Sequence, residues 1–191
     1  MSPIIQTLGN ASAYGYRSFA AADTGSFESI ATVTVGSGGS STITFSSIPS
    51  TYTHLQLRVT EQCSVYDKWR QMQFNSDTTT SNYRYHSLYG DGSSASALSF
   101  ADSDWYYYEA VSSHSTTSMA GYVIDILDYA NTNKYKTVRF LGGHDNNGSG
   151  ILWLVSKLWK NTNAISQIDL KLASGNFVQY SSFALYGIKS S

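Results

Sequence analysis

YKTVRFL (135–141), ILWLVSKLW (151–159), ISQIDLKL (165–172) and FVQYSSFALYGI (177–188) follow one another, separated by the Gly/Asn/Ser-rich stretches 142–150, 161–163 and 173–176. Short runs rich in β-branched and aromatic residues between such clusters are the sequence form of consecutive antiparallel strands, so this region is expected to be a β meander. Side chains alternate across a strand. In the third run Ile168, Leu170 and Leu172 therefore point one way while Asp169 and Lys171 point the other, and one face meets water. The second run differs. Leu152, Leu154 and Leu158 share one face, and Ile151, Trp153, Val155 and Trp159 share the other. Both faces want cover, which a single small core does not provide, and monomers rarely expose large apolar patches. An oligomer is expected, with Trp153, Val155 and Trp159 at the subunit interface.

The chain has 191 residues and a formal net charge of -1. That length suits one domain with a core, or a domain plus an arm. Phosphate binding needs a basic stripe and none is visible, so nucleic acid is not an expected partner. Charged residues make up 13% and aromatics 14%, with only 2 prolines, which argues against disorder and for a packed β surface whose polar groups are Ser, Thr, Asn, Gly and Tyr. Cys63 is the only cysteine, so neither an intrachain disulfide nor a cysteine-based zinc site can form. The opening MSPIIQTLGNASAYGYRSF has no basic segment followed by an apolar core, and no run approaches the ~20 apolar residues of a spanning helix. No signal peptide and no membrane partner are expected.

Residues 1–29 mix glycines with Tyr14, Tyr16, Phe19 and Phe27 and have neither a helical nor a strand period. They read as an extended arm that gains order by laying those aromatics on a partner. Residues 30–191 read as the body. ATVTV (31–35) and TITFS (42–46) flank a Gly/Ser tip as a hairpin, Leu55, Leu57 and Val59 alternate with polar residues, and WRQMQF (69–74), YRYHSLY (83–89) and GYVIDILDY (121–129) are further strands. Residues 90–103 read as a long insertion, with weak helical potential over 98–111. Trp105, Tyr106, Tyr107 and Tyr108 are consecutive, so at least two of them must leave any single core face for solvent, an interface or a ligand. The resulting fold class is all-β: an antiparallel, jelly-roll-like β-sandwich with an extended N-terminal arm.

Catalytic constellations are not found. His54, His86, His114 and His144 lack the pair spacings that place two imidazoles on one metal, so no metal, cofactor or catalytic residue is assigned. Asp125 and Asp128, three apart on a strand, should face opposite ways, and there is no Gly-x-Ser-x-Gly elbow. HDNNG (144–148) reads as a β-turn lacking the acid ligands of a calcium loop. Abundant Tyr, Ser, Gly and Asn instead suit contact surfaces.

The segments SIPSTYTHLQLR (47–58) and FALYGIK (183–189) resemble stretches of small tailed-bacteriophage virion proteins of the tail-fibre or minor structural type, and the opening IIQTLGNASAYGYRSF is similar to the arms by which such proteins attach to a particle. The resemblance implies a β-rich ring-like oligomer such as a homotrimer, located in the virion and bound to other virion proteins, with no active site. The leading expectation is a tail-fibre or baseplate appendage protein that acts by oligomerisation and docking. The first alternative is a capsid decoration protein on the head surface. The second is a carbohydrate-binding receptor-recognition module that stacks Trp105 to Tyr108 on a host surface glycan.

Overall fold

A computed structural model describes residues 26–65, 70–101, 118–145 and 148–189 of the chain. Within them eleven strands form two antiparallel sheets, and the body is a β-sandwich. The strands are β1 (Phe27–Thr34), β2 (Thr42–Phe45), β3 (His54–Glu61), β4 (Arg70–Phe74), β5 (Tyr83–Gly90), β6 (Ala95–Ala101), β7 (Ala120–Leu127), β8 (Lys136–Asp145), β9 (Gly150–Trp159), β10 (Ile168–Leu172) and β11 (Ser182–Ile188). The large sheet runs β1-β11-β3-β7-β8-β9-β5-β6, and the small one β2-β10-β4.

Alternation decides which residues enter the space between the sheets. Leu55, Leu57 and Val59 of β3 are buried, as are Phe183 and Leu185 of β11 and Ile168, Leu170 and Leu172 of β10, and they belong to one continuous apolar cluster. The Phe74 ring of the small sheet meets the Trp159 indole of the large one at 5.4 Å. An ion pair also crosses the interior. Arg70 Nε of β4 donates to Glu61 Oε1 of β3 at 2.6 Å, with both side chains at or below 1% exposure. Burial pushes the Glu61 carboxyl above its ordinary range, and the Arg70 guanidinium opposes that shift.

The expected meander holds for β8 and β9, which pair from Lys136↔Trp159 to Asp145↔Gly150. It fails after Trp159. The next apolar face, Ile168, Leu170 and Leu172, is covered only by crossing to the small sheet, where β10 becomes the central strand between β2 and β4. β11 then returns to the far side of the large sheet, between β1 and β3. Polar side chains fix the crossing. Asn75, in the left-handed region at φ 51, donates from Nδ2 to Ala164 O and accepts from the backbone N–H groups of Ser166 and Gln167. The fully buried Lys136 ammonium donates to three backbone carbonyls, Asn131 at 2.5 Å, Lys134 at 2.9 Å and Thr162 at 3.0 Å.

Three expectations change. The body starts at Phe27, because Phe27, Glu28 and Ser29 pair with β11. Residues 95–101 are not an insertion but a strand, hairpinned to β5 through a turn in which Asp91 Oδ1 accepts the N–H groups of Ser93 and Ser94 at 2.8 Å. Of the stretch given helical potential, 98–101 therefore lies in β6, and 102–111 lies outside the described residues. His144 and Asp145 extend β8 rather than opening a turn.

Candidate docking surface

β9 is ILWLVSKLW after its first glycine, and its alternation settles where each indole goes. Trp153, Val155 and Trp159 are 3%, 8% and 1% exposed, so they fill the interior of their own sandwich. Trp153 stacks on Tyr89 at 4.4 Å, and Trp159 Nε1 donates to Asp77 Oδ2 at 2.8 Å. These three residues are therefore corrected from subunit interface to core. A second sheet, which a short strand reading does not supply, covers the indole side, and the leucine side remains. Leu152 is 61% exposed and Leu154 52%.

The pairing register shows what surrounds those leucines. Leu154 lies opposite Leu141 on β8 and Leu88 on β5, and Leu141 lies opposite Val123 on β7. These are all outward-facing, with Leu88 and Leu141 more than half exposed. Continued to both edges, the row reads Thr32, Ala184, Arg58, Val123, Leu141, Leu154, Leu88, Ala97, with one residue from every strand of the sheet. The neighbouring outward row reads Thr34, Ser182, Thr60, Gly121, Gly143, Leu152, Gly90, Ala95. The two rows together contain a single charged residue, Arg58. Depletion of charge around a buried apolar centre is the compositional mark of protein interfaces.

The next outward row is polar and tied together. Arg58 Nε donates to Gln56 Oε1, Gln56 Nε2 to Asp125 Oδ1 at 2.9 Å, and Arg139 Nη2 to Asp125 Oδ2 at 3.3 Å. Asp125 thus serves a surface ladder. Asp128 is placed elsewhere and pairs with Lys134 at 2.5 Å. The hydrogen bond from Lys134 is the largest influence holding the Asp128 carboxyl below its ordinary range, with burial opposing.

At the open end of the leucine and glycine rows lies a cleft of about 720 Å³, walled largely by bare backbone at Gly90, Gly121, Gly142 and Gly143, with Asp91 and His144 at its margin. Burial lowers the His144 pKa and the Arg70 charge adds to it, with Asp145 opposing. No group of three or more His, Cys, Asp or Glu able to hold a metal occurs among the described residues. No helix among them is long and apolar enough to cross a membrane.

Of the aromatics expected on the arm, Tyr14, Tyr16 and Phe19 lie outside the described residues, as do Trp105, Tyr106, Tyr107 and Tyr108. Phe27 belongs to the body: its ring stacks on Tyr186 at 4.7 Å, and the Arg58 guanidinium lies 5.1 Å from its centroid. Val123, Leu141 and Leu88 are exposed apolar residues of this candidate surface that the sequence reading did not pick. Alternation within each strand puts them outward, but only the cross-strand register aligns them. No family model matches the chain, and no curated protein and no solved structure matches it.

Proposed function

We propose that this chain is a structural component of a tailed-bacteriophage particle, a tail-fibre or baseplate appendage protein that works by docking rather than by catalysis. The observation that carries the reading is the outward row Val123, Leu141, Leu154 and Leu88, together with Leu152, in two rows whose one charged residue is Arg58. A monomer's surface rarely keeps such a patch unless it meets another protein. The resemblance of 47–58 and 183–189 to virion proteins supplies the setting. A capsid decoration role would use the same face and is separated from the appendage role by copy number.

The test is quantitative mass spectrometry on purified, high-salt-washed phage particles from a culture expressing the chain. Peptides from this chain at up to a few dozen copies per particle are expected. Hundreds of copies would move the protein to the head surface. Recovery only in the unassembled fraction would refute the particle role. A Leu141→Glu/Leu154→Glu double variant, folded by circular dichroism, should be missing from the particles.

A further inference from the structure

We propose that the occupant of the leucine and glycine rows is a second copy of this chain, stacked face to face about a twofold axis lying in the interface. This inference rests on the docking reading above and names its partner. Its charge, relief and layer spacing favour a copy of itself.

A face that meets its own copy must not oppose like charges, since such contacts are penalised across an interface. Across all eight strands the two rows offer only Arg58, and that guanidinium is already engaged by Gln56 and by the Phe27 and Tyr186 rings. The relief is complementary to itself. Leu152 stands between Gly143 on one neighbouring strand and Gly90 on the other, and Gly121 lies one strand further. An ideal Cβ at Gly121 would meet no atom within 4 Å, whereas one at Gly143 would lie 2.1 Å from the Ile151 carbonyl oxygen, so the open space in this row is at Gly121. A projecting leucine beside bare backbone in one row supplies both knob and hole. A twofold brings each knob of one copy to the holes of the other, the isologous arrangement that closes at two.

With strands ~4.8 Å apart and outward residues ~6.6 Å apart along each strand, the two rows cover roughly 34 by 13 Å, about half of the ~800 Å² per partner of a standard interface, so the pairing belongs to the weak, concentration-dependent class. Stacked sheets interdigitate at ~10 Å, a spacing that exposed leucines and valine fill without bulky aromatics. The pairing is by two, so the expected homotrimer would have to use a different surface.

The 191-residue chain is the material for the test. Light scattering coupled to size exclusion at about 50 µM should report twice the 20.9 kDa chain mass. Leu154→Glu, between Leu141 and Leu88 in the row, should weaken the self-association at least about thirtyfold, as loss of a buried anchor does, and return a monomer with unchanged circular dichroism. Tyr180→Glu, at an exposed loop site outside both rows, should leave the dimer intact. As a second readout, Leu141→Cys should form an intermolecular disulfide under mild oxidation, because a twofold that sets Leu152 over the partner's Gly121 runs along β8, which lies between β9 and β7, and the chain's own Cys63 is fully buried. Wild type found as a monomer overturns the proposal, and so does a dimer that survives Leu154→Glu. If the wild type is a monomer and deleting residues 1–25 makes it associate through Leu154, the occupant is the chain's own N-terminal segment and the second copy is wrong. If wild type is a monomer while Leu141→Glu/Leu154→Glu is lost from particles, docking stands and only the self-pairing falls.

Discussion

Trp159 and Asp77 are 82 positions apart, and the indole Nε1 of the first donates to the carboxylate of the second at 2.8 Å. The same carboxylate accepts from Thr79 N and Asn82 Nδ2, so the turn after β4 is tied to the end of β9. Burial alone would raise the Asp77 pKa. The bonds from Asn82, Trp159 and Thr79 outweigh it and bring the pKa below 3.8. Trp159→Phe keeps the ring and removes the donor. A hydrogen bond to a charged group contributes about 2 kcal/mol, so that loss is expected in urea unfolding. The Asp77 pKa should also rise in the variant, read by carboxyl carbon NMR; an unmoved resonance would show that the indole does not tune it.

Gly187 lies under the Tyr52 ring. A Cβ there would approach ring carbons at 2.4 Å, and the ring is held by its hydroxyl's bond to Glu28 Oε2 at 2.9 Å. Gly187→Ala should therefore cost about 1–3 kcal/mol through overpacking. Gly36→Ala, where a Cβ meets nothing within 4 Å, is the control and should change the thermal midpoint by no more than a degree or two. Equal effects from both would contradict the packing.

Glu61 and Arg70 test the interior. Glu61→Gln leaves the guanidinium without its carboxylate and is expected to cost about 3–5 kcal/mol, whereas an apolar Glu61→Leu/Arg70→Met pair should recover most of the loss. Chemical denaturation of the two variants against wild type decides it. A double variant no more stable than the single one would mean that the pair itself stabilises the fold.

Stability should fall on acidification. The His144 pKa lies below its ordinary 6.5 and those of Asp77 and Asp128 lie below their ordinary 3.8, so the unfolded chain binds more protons than the folded one beneath those values. Their contribution is whole above the ordinary value and is lost as pH drops through the folded one. Glu61, raised by burial, acts in the opposite sense, so the His144 part is isolated by difference. The gap in thermal midpoint between wild type and His144→Gln should change as pH falls below 6.5 and be constant above it. A gap independent of pH would remove His144 from the titration.

Much of the architecture was legible in the strands themselves. The alternation of Ile168, Leu170 and Leu172 with Asp169 and Lys171 marked both a strand and its inner face, and Leu55, Leu57 and Val59 did the same for β3. What a single strand cannot state is which sheet it joins. The run at 165–172 has the composition of the next meander strand, and only the uncovered interior of the large sheet draws it across. The same limit misplaced Trp153, Val155 and Trp159: two apolar faces were evident, but the side sealed by the small sheet depends on contacts far apart in sequence, such as that of Phe74 with Trp159. Leu88, Leu141 and Val123 were unremarkable singly, because an outward apolar row exists only in the register between strands. Residues 95–101, an uncharged ASALSFA, form a strand because Asp91 closes the turn that returns them to β5.

The placement of β10 also governs when the molecule can mature during synthesis. Its partners β2 and β4 are made more than ninety residues earlier, and β1 waits for β11. On the ribosome β1, β2 and β4 emerge without their partners until β10 and β11 have been delivered. Closure is then a late, non-local event on the slow timescale of β-rich topologies. Premature termination anywhere before Ile168 removes β10 and β11, and with them the partners that close β1, β2 and β4.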